Sequence, residues 1–478
     1  MHDARTFALG LAVGVAGTVA AILLTKASTE KKQRRGGEEG EEKNDVSSSA
    51  PPSSAKTPSK SGPGTVLASL AMHKEVYLDW NATTPIFPEV TAALLPFTAA
   101  HFGNPSSDSA FSAPCRAAVQ KARQQAAALL GAAPEEIIFT GSGSESDNTA
   151  IMLAISACTK QKKRFGPGPA IPHVVTTNIE HPAVEQYLAA AEAAGTIAVT
   201  RVAVNTEGLV SADDVLAAIR ENTALVTVMH SNNEVGSVQP IAAIAEGCKG
   251  RGVLCHTDAA QSCGKVDVSI AVCPVDMMTV VGHKFGCPKG VSFLFVRNGC
   301  LAEHGRKPPP SFGSAGALVL GGGQESGRRA GTENVLLIAA LGKACELARQ
   351  ELPTMRKHML ALRSRLLQRF EAAAAQGLLS VRVNGPSDVN CRLPNTLSIG
   401  IQGVQSGALL ASIKHQVAAS AGSACHTGGG VSAILKAMSV PMEYAVGTLR
   451  LSVGRHTTFE DVELAADAII NAAAAAEQ

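Results

Sequence analysis

Lys284 closes a run of β-formers, Thr279-Val280-Val281-Gly282-His283-Lys284-Phe285. Upstream, Val253-Leu254-Cys255-His256-Thr257-Asp258-Ala259-Ala260-Gln261 reads as a second short buried strand that ends in an acid. A lysine at one strand end and an aspartate at another suit pyridoxal 5'-phosphate (PLP). The amine can hold the cofactor aldehyde as a Schiff base, and the acid can keep the pyridine nitrogen protonated. The same pair could also be a surface lysine and a surface aspartate at loop mouths, since short motifs match by chance.

Other residues could complete such a site. Thr140-Gly141-Ser142-Gly143-Ser144-Glu145-Ser146 follows the apolar Ile137-Ile138-Phe139 and opens a helix. Small residues there let backbone N–H groups and hydroxyls close on a phosphate at the positive helix end. His181, in Asn178-Ile179-Glu180-His181-Pro182, comes just after a strand. It is a satisfied structural histidine, or an imidazole stacked on a cofactor ring and available for proton transfer. Asn232 and Asn233 also follow a strand. They are turn residues, or partners of the cofactor's phenolic oxygen. The glycine-rich stretch 321–334 carries Arg328, Arg329 and Thr332 and suits close approach to an anion. Arg450, on a strand-like segment, suits a bidentate carboxylate clamp. Cys425 sits among small residues in Ser420-Ala421-Gly422-Ser423-Ala424-Cys425-His426-Thr427-Gly428-Gly429-Gly430. Such flanks predict a mobile, accessible loop and make Cys425 the candidate nucleophile.

The scaffold that positions these residues is legible in outline. Strands are predicted at 136–140, 173–177, 224–229, 252–257, 278–281 and 292–296, and helices at 113–130 and 211–221. Short apolar strands between helices predict an α/β fold, a mostly parallel sheet covered on both faces. A long helical signal over 337–370 and strands near 379–383 and 396–401 predict a smaller C-terminal α+β domain. The expected division is 1–29 for an anchor or targeting segment, 30–74 for a disordered polar linker, 75–335 for a large PLP-binding domain, and 336–478 for a small domain carrying the Cys425 loop.

Composition narrows the function classes. Of 478 residues, 45% are hydrophobic and 17% charged, which suits a compact globular protein and excludes a disordered one. The net charge of +2 comes without a basic patch, so nucleic acid is not implied. The 11 cysteines show no C-x-x-C and no regular spacing, which argues against a disulfide framework or a metal site. Residues 7–24 carry no charge and just reach bilayer-spanning length. Lys26, Lys31, Lys32, Arg34 and Arg35 follow, which would leave the catalytic part on the cytoplasmic side of a membrane. The alternatives are a cleaved signal peptide and a mitochondrial or other organelle leader.

Taken together, Tyr77-Leu78-Asp79, Asn81-Ala82-Thr83-Thr84-Pro85, Gly103-Asn104-Pro105-Ser106-Ser107, Glu145-Ser146-Asp147-Asn148, Glu180-His181, Asn232-Asn233-Glu234-Val235-Gly236, Asp258-Ala259-Ala260-Gln261, Gly282-His283-Lys284 and Gly422-Ser423-Ala424-Cys425 resemble the cysteine desulfurases. These belong to the class V aminotransferase group of fold-type I PLP enzymes. The resemblance covers roughly residues 75 to 470. Within the group, His256 to Gln261, Val281 to Phe285, Gly321 to Glu325, Arg392 to Thr396 and Ala424 to His426 look closest to selenocysteine lyases.

The resemblance implies a homodimer that removes sulfur or selenium from L-cysteine or L-selenocysteine, leaving L-alanine. An acceptor protein would take the sulfur or selenium. It implies Lys284 as the Schiff-base lysine and Cα proton acceptor, and Asp258 as the pyridinium partner. His181 stacks on the ring and is the nearest base for the Cys425 thiol. Asn233 and Gln261 approach the phenolic oxygen. Gly143, Ser144 and His283 bind phosphate, with Thr332 donated by the other subunit. Arg450 binds the substrate carboxylate, with Asn81 also in substrate binding. Val281 stands where many desulfurases have serine, and Cys287 lies in an unusual Gly286-Cys287-Pro288 insert. Two other readings stay open: another aminotransferase or lyase of this fold, with Cys425 incidental, and an inactive membrane-tethered scaffold.

Overall fold

The computed structural model describes residues 75–159, 171–300, 318–422 and 431–476. The first strand, β1 (Val76–Tyr77), is followed by an irregular segment whose backbone bonds first to Ala418 and Ser452 and then to His283 and Gly286. One sheet contains β2 (Ile137–Thr140), β3 (His173–Thr177), β4 (Ala198–Val202), β5 (Thr223–Thr227), β6 (Leu254–Asp258), β7 (Met277–Val281) and β8 (Ser292–Val296). Their order is β2-β8-β7-β6-β5-β3-β4. Within this sheet β8 runs antiparallel to both of its neighbours, and β7-β6-β5-β3-β4 pair in parallel.

Every residue of β3, β5, β6 and β7 is buried. Such strands need cover on both faces, which is why they read as near-continuous apolar runs. Successive side chains alternate. Val175, Val226, Cys255, Met278 and Val280 join the core that includes helix α1 (Ser112–Leu130). Val174, Leu225, Leu254, Met277 and Leu294 join the core that includes α2 (Gly143–Thr159) and α3 (Pro182–Ala193). The mostly parallel α/β sheet is thus as expected. β4 was not among the predicted strands. It lies at the sheet edge, is only half-buried, and carries Arg201, paired with Glu185 and Glu192.

The long helical signal is one 41-residue helix, α4 (Val335–Ala375). It serves two cores. Leu341, Ala344, Cys345 and Leu347 pack in the core with α1, whereas Met359, Leu362, Leu366 and Phe370 pack in a second. Pro353 lies between the two sets. The second core holds a four-stranded antiparallel sheet, in the order β12-β13-β10-β9, and the helix α5 (Phe459–Ala476). These strands are β9 (Val381–Asn384), β10 (Thr396–Ile401), β12 (Ser420–Ala421) and β13 (Thr448–Ser452). β11 (Val417–Ala418) pairs instead with β1, in parallel.

The membrane placement expected from residues 7–24 is corrected. Among the described residues no helix is long and apolar enough to cross a membrane. The run itself lies outside the described residues.

The contact between α1 and α4 is close at Gly342. A Cβ there would lie 2.5 Å from Ala122 Cα and 2.7 Å from Ala122 Cβ. Gly→Ala in a helix gains about 1 kcal/mol of propensity. Overpacking a filled interface costs about 1–3 kcal/mol. Gly342→Ala is therefore expected to lower stability despite the better helix former, by up to about 2 kcal/mol. A denaturant melt checks this, and a variant more stable than wild type would show that the helices separate freely.

Candidate active site

The carboxyl ends of the parallel strands surround one cleft of about 310 Å³. Open α/β sheets bind ligands in this position. Ser142, Gly143 and Ser144 reach it from the turn after β2, and His181 from the end of the turn after β3. Asn233 comes from the loop after β5 and Asp258 from the end of β6, with Gln261 three residues on. His283 and Lys284 come from the turn after β7. Chain segments far apart in sequence thus converge on one cleft.

Lys284 Nζ donates to the carbonyls of Asn81 at 2.6 Å and Ala82 at 2.9 Å. Burial, reinforced by Arg450, holds its ammonium down to about 8. Asp258 is buried and accepts from the Ala260 N–H. Burial raises its carboxyl above the usual range, while Ala260, His181 and Lys284 pull the other way. His181 caps α3: its Nδ1 accepts from the Ala183 N–H at 3.1 Å. A neutral ring therefore carries its hydrogen on Nε2. Burial keeps it neutral by lowering its pKa. His283 is held down to about 4 by burial and by Lys284, Lys289 and Lys265.

At the other end, the start of α2 offers hydroxyls and backbone N–H groups. Ser142 Oγ accepts from the Glu145 N–H, and Glu145 accepts from the Gly141 N–H. Arg329 of the 321–334 stretch pairs with Glu145 at 2.8 Å, so it braces this turn. A Cβ on Gly143 would lie 2.6 Å from a Val281 methyl, so the turn admits only glycine there.

These residues fit PLP. A helix start with Ser144 and His283 suits a phosphate. A buried acid suits a protonated ring nitrogen, and a lysine of lowered pKa suits an aldehyde. Gln261 and Asn233 lie on the same wall.

The remaining predicted residues fall differently. Arg450 donates to Asp79 at 2.6 Å, Ser420 at 2.7 Å and the Asn233 carbonyl at 3.1 Å. Asn81 is fully buried and does not line the cleft. Its side chain is taken up by Thr396, Asn395 and Lys265. What it gives the site is its carbonyl. Thr332 is exposed and absent from the cleft wall of this chain. Cys425 lies outside the described residues. Cys287 is buried, and burial pushes its thiol up, as suits an inert cysteine.

Two groups were not singled out from sequence. Asp147 lines the cleft, and its Oδ1 has no hydrogen-bond partner among the described residues. Burial and Asp258 push its carboxyl well above the usual range. Glu180, bonded by Thr177 and the Met229 N–H, is pushed up to about 8 by burial. Both stand in quoted motifs, but only burial reveals the shifted acids.

Comparison with known proteins agrees with this geometry. The family described as Aminotransferase class-V matches residues 76–464. The chain is similar to a cysteine desulfurase of Trichormus azollae, 42% identical over 390 residues, covering 81% of this chain and 90% of that one. It is also similar to a cysteine desulfurase IscS of Clostridium botulinum (strain Hall), 39% identical over 394 residues, covering 82% and 92%. Among solved structures, a NifS-like protein matches with a TM-score of 0.72 at 30% identity, over 83% of this chain and 98% of that one. DndA from Streptomyces lividans matches with a TM-score of 0.63 at 32% identity, over 78% and 97%.

The lowered Lys284 pKa has a kinetic signature. Only a neutral amine condenses with an aldehyde, and the neutral form is populated above the pKa. The rate at which cofactor-free protein takes up PLP should rise with pH and level off above about 8. An ordinary lysine would level off only above about 10.4. Stopped-flow absorbance measures this, and a rate still climbing at high pH would contradict the assigned environment.

Proposed function

We propose that the chain, which belongs to the aminotransferase class V family, is a PLP-dependent cysteine desulfurase. The observation that carries this reading is the convergence of Lys284, Asp258, His181 and the start of α2 on one cleft. Bound PLP supplies an electron sink for the pair left when a Cα–H bond breaks. Lys284 takes the Cα proton of L-cysteine and returns one later. Asp258 holds the proton of the ring nitrogen. The substrate carboxylate competes with Asp79 for the Arg450 guanidinium. His181, with its hydrogen on Nε2, stacks and donates in this resting tautomer, and gaining a proton as base would require giving up the Ala183 bond.

The Cys425 thiolate attacks the substrate sulfur. The substrate C–S bond breaks and an S–S bond forms on Cys425. The carbon skeleton takes up protons at Cβ and Cα and leaves as L-alanine. The persulfide sulfur then passes to an acceptor protein. L-Selenocysteine meets the same groups with a weaker bond to carbon, and is the second substrate in this reading. A second copy of the chain supplies Thr332. Exposed apolar side chains support such a pairing: Leu320 and the stacked Phe102–Phe111 pair remain in solvent here.

Lys284→Ala should keep the fold and lose at least about 10²–10⁴-fold in alanine formation, the range for losing one proton-transfer group. Near-normal turnover would sink the assignment. Cys425→Ser should still bind PLP with the wild-type absorbance, yet release almost no alanine from L-cysteine, because the sulfur has no thiolate acceptor. Its loss with L-selenocysteine should be smaller. Full activity of Cys425→Ser with L-cysteine would favour an aminotransferase-like reaction.

A further inference from the structure

Lys265 is a lysine with only 5% of its surface exposed. Its Nζ donates to Gln261 Oε1 at 3.1 Å and to Asn81 Oδ1 at 3.2 Å. Gln261 in turn donates from Nε2 to the Asn81 carbonyl at 3.0 Å. A primary amide has one acceptor oxygen and two N–H donors. Lys265 occupies the oxygen, and the Asn81 carbonyl takes one hydrogen. The second N–H is then what Gln261 can offer as a residue of the cleft wall. A flipped amide would set Nε2 against the lysine ammonium and Oε1 against a carbonyl, losing both bonds.

We propose that Lys265 is a positioning residue that locks the Gln261 amide, so that this side chain presents a donor and not an acceptor to the phenolic oxygen of bound PLP. The inference rests on the functional reading above. Losing the charge does not by itself release the lock: a flipped amide could then donate to the amine lone pair, but it would still set Oε1 against the Asn81 carbonyl. Burial, together with Lys284 and Arg450, pushes the Lys265 ammonium down to about 7. A neutral amine still carries two N–H donors, enough for the two acceptors it meets.

A donor to the phenolate stabilises the form of the cofactor–Lys284 linkage that has lost its proton, so it lowers the pH at which the linkage titrates. The experiment is a pH titration of the visible absorbance of the full-length, PLP-loaded protein. Lys265→Met should raise the midpoint by about half a unit to one unit, the size of a weakened bond to a charged acceptor. Lys265→Arg, which keeps a donor-only group, should stay near the wild-type midpoint. In a Gln261→Leu background, Lys265→Met should add no further shift. An unmoved midpoint in Lys265→Met overturns the inference. So does an equal shift in the Gln261→Leu background, which would mean that Lys265 acts by its own charge. If Lys265→Met does not fold, Lys265→Leu provides the same comparison, because it too removes the donor to Gln261 Oε1. Wild-type protein without a cofactor band would overturn the functional reading and this inference together. A normal wild-type band with an unmoved variant overturns this inference alone.

Discussion

The polar connections of one buried residue, Asn81, tie the two sheets together at the site. Its carbonyl accepts from Lys284 and Gln261, and its N–H donates to Ser452. Its side chain meets Thr396, Asn395 and Lys265. The groups it joins come from the ends of β6 and β7 on one side and from β10 and β13 on the other. Leaving one such buried group unpaired costs about 1–3 kcal/mol. Apolar layers can slide by a fraction of an ångström at little cost, whereas directional bonds lose strength quickly with angle. The distance between the lysine turn and the small sheet is thus set by hydrogen-bond geometry. The Arg450 bonds to Asp79 and the Asn233 carbonyl act in the same direction.

Burial has a second effect at this site. It presses acids up and bases down, so that groups that would be charged in water are drawn toward neutrality. Lys284 and Lys265 are lowered, Asp147 and Glu180 are raised, and His181 and His283 are lowered. A site poised in this way can move protons near neutral pH without first stripping water from a full charge.

Much of this arrangement was legible in the sequence, for a physical reason. Strands buried on both faces show as apolar runs, so β3, β8 and β10 fall where the pattern placed them. Each of the runs ending β2, β3, β5, β6 and β7 gives way to small or polar residues, and those residues form the cleft. Edge strand β4 lacked that signal because half of it faces solvent. Lys265 was invisible for a different reason. Behind a glycine it reads as an ordinary surface lysine, and only its burial and its two acceptors give it meaning. Asn81 shows the converse. Its motif pointed to the substrate, but its side chain is used inside the protein and only its carbonyl reaches Lys284. The run at 7–24 has the length and apolarity of a span, but it lies outside the described residues, and no helix among those could cross a membrane.

The helix α4 acts as a lever. At 1.5 Å per residue, each arm from Pro353 is about 30 Å long. One arm lies in the core beneath the cleft, and the other carries the sheet that holds Arg450. A tilt of about two degrees about the proline would move the far end of an arm by about 1 Å, a displacement large enough to change a rate by about 10²-fold. The sequence of a solvent-side turn far from the cleft can therefore set how well Arg450 and Lys284 are aimed at one another.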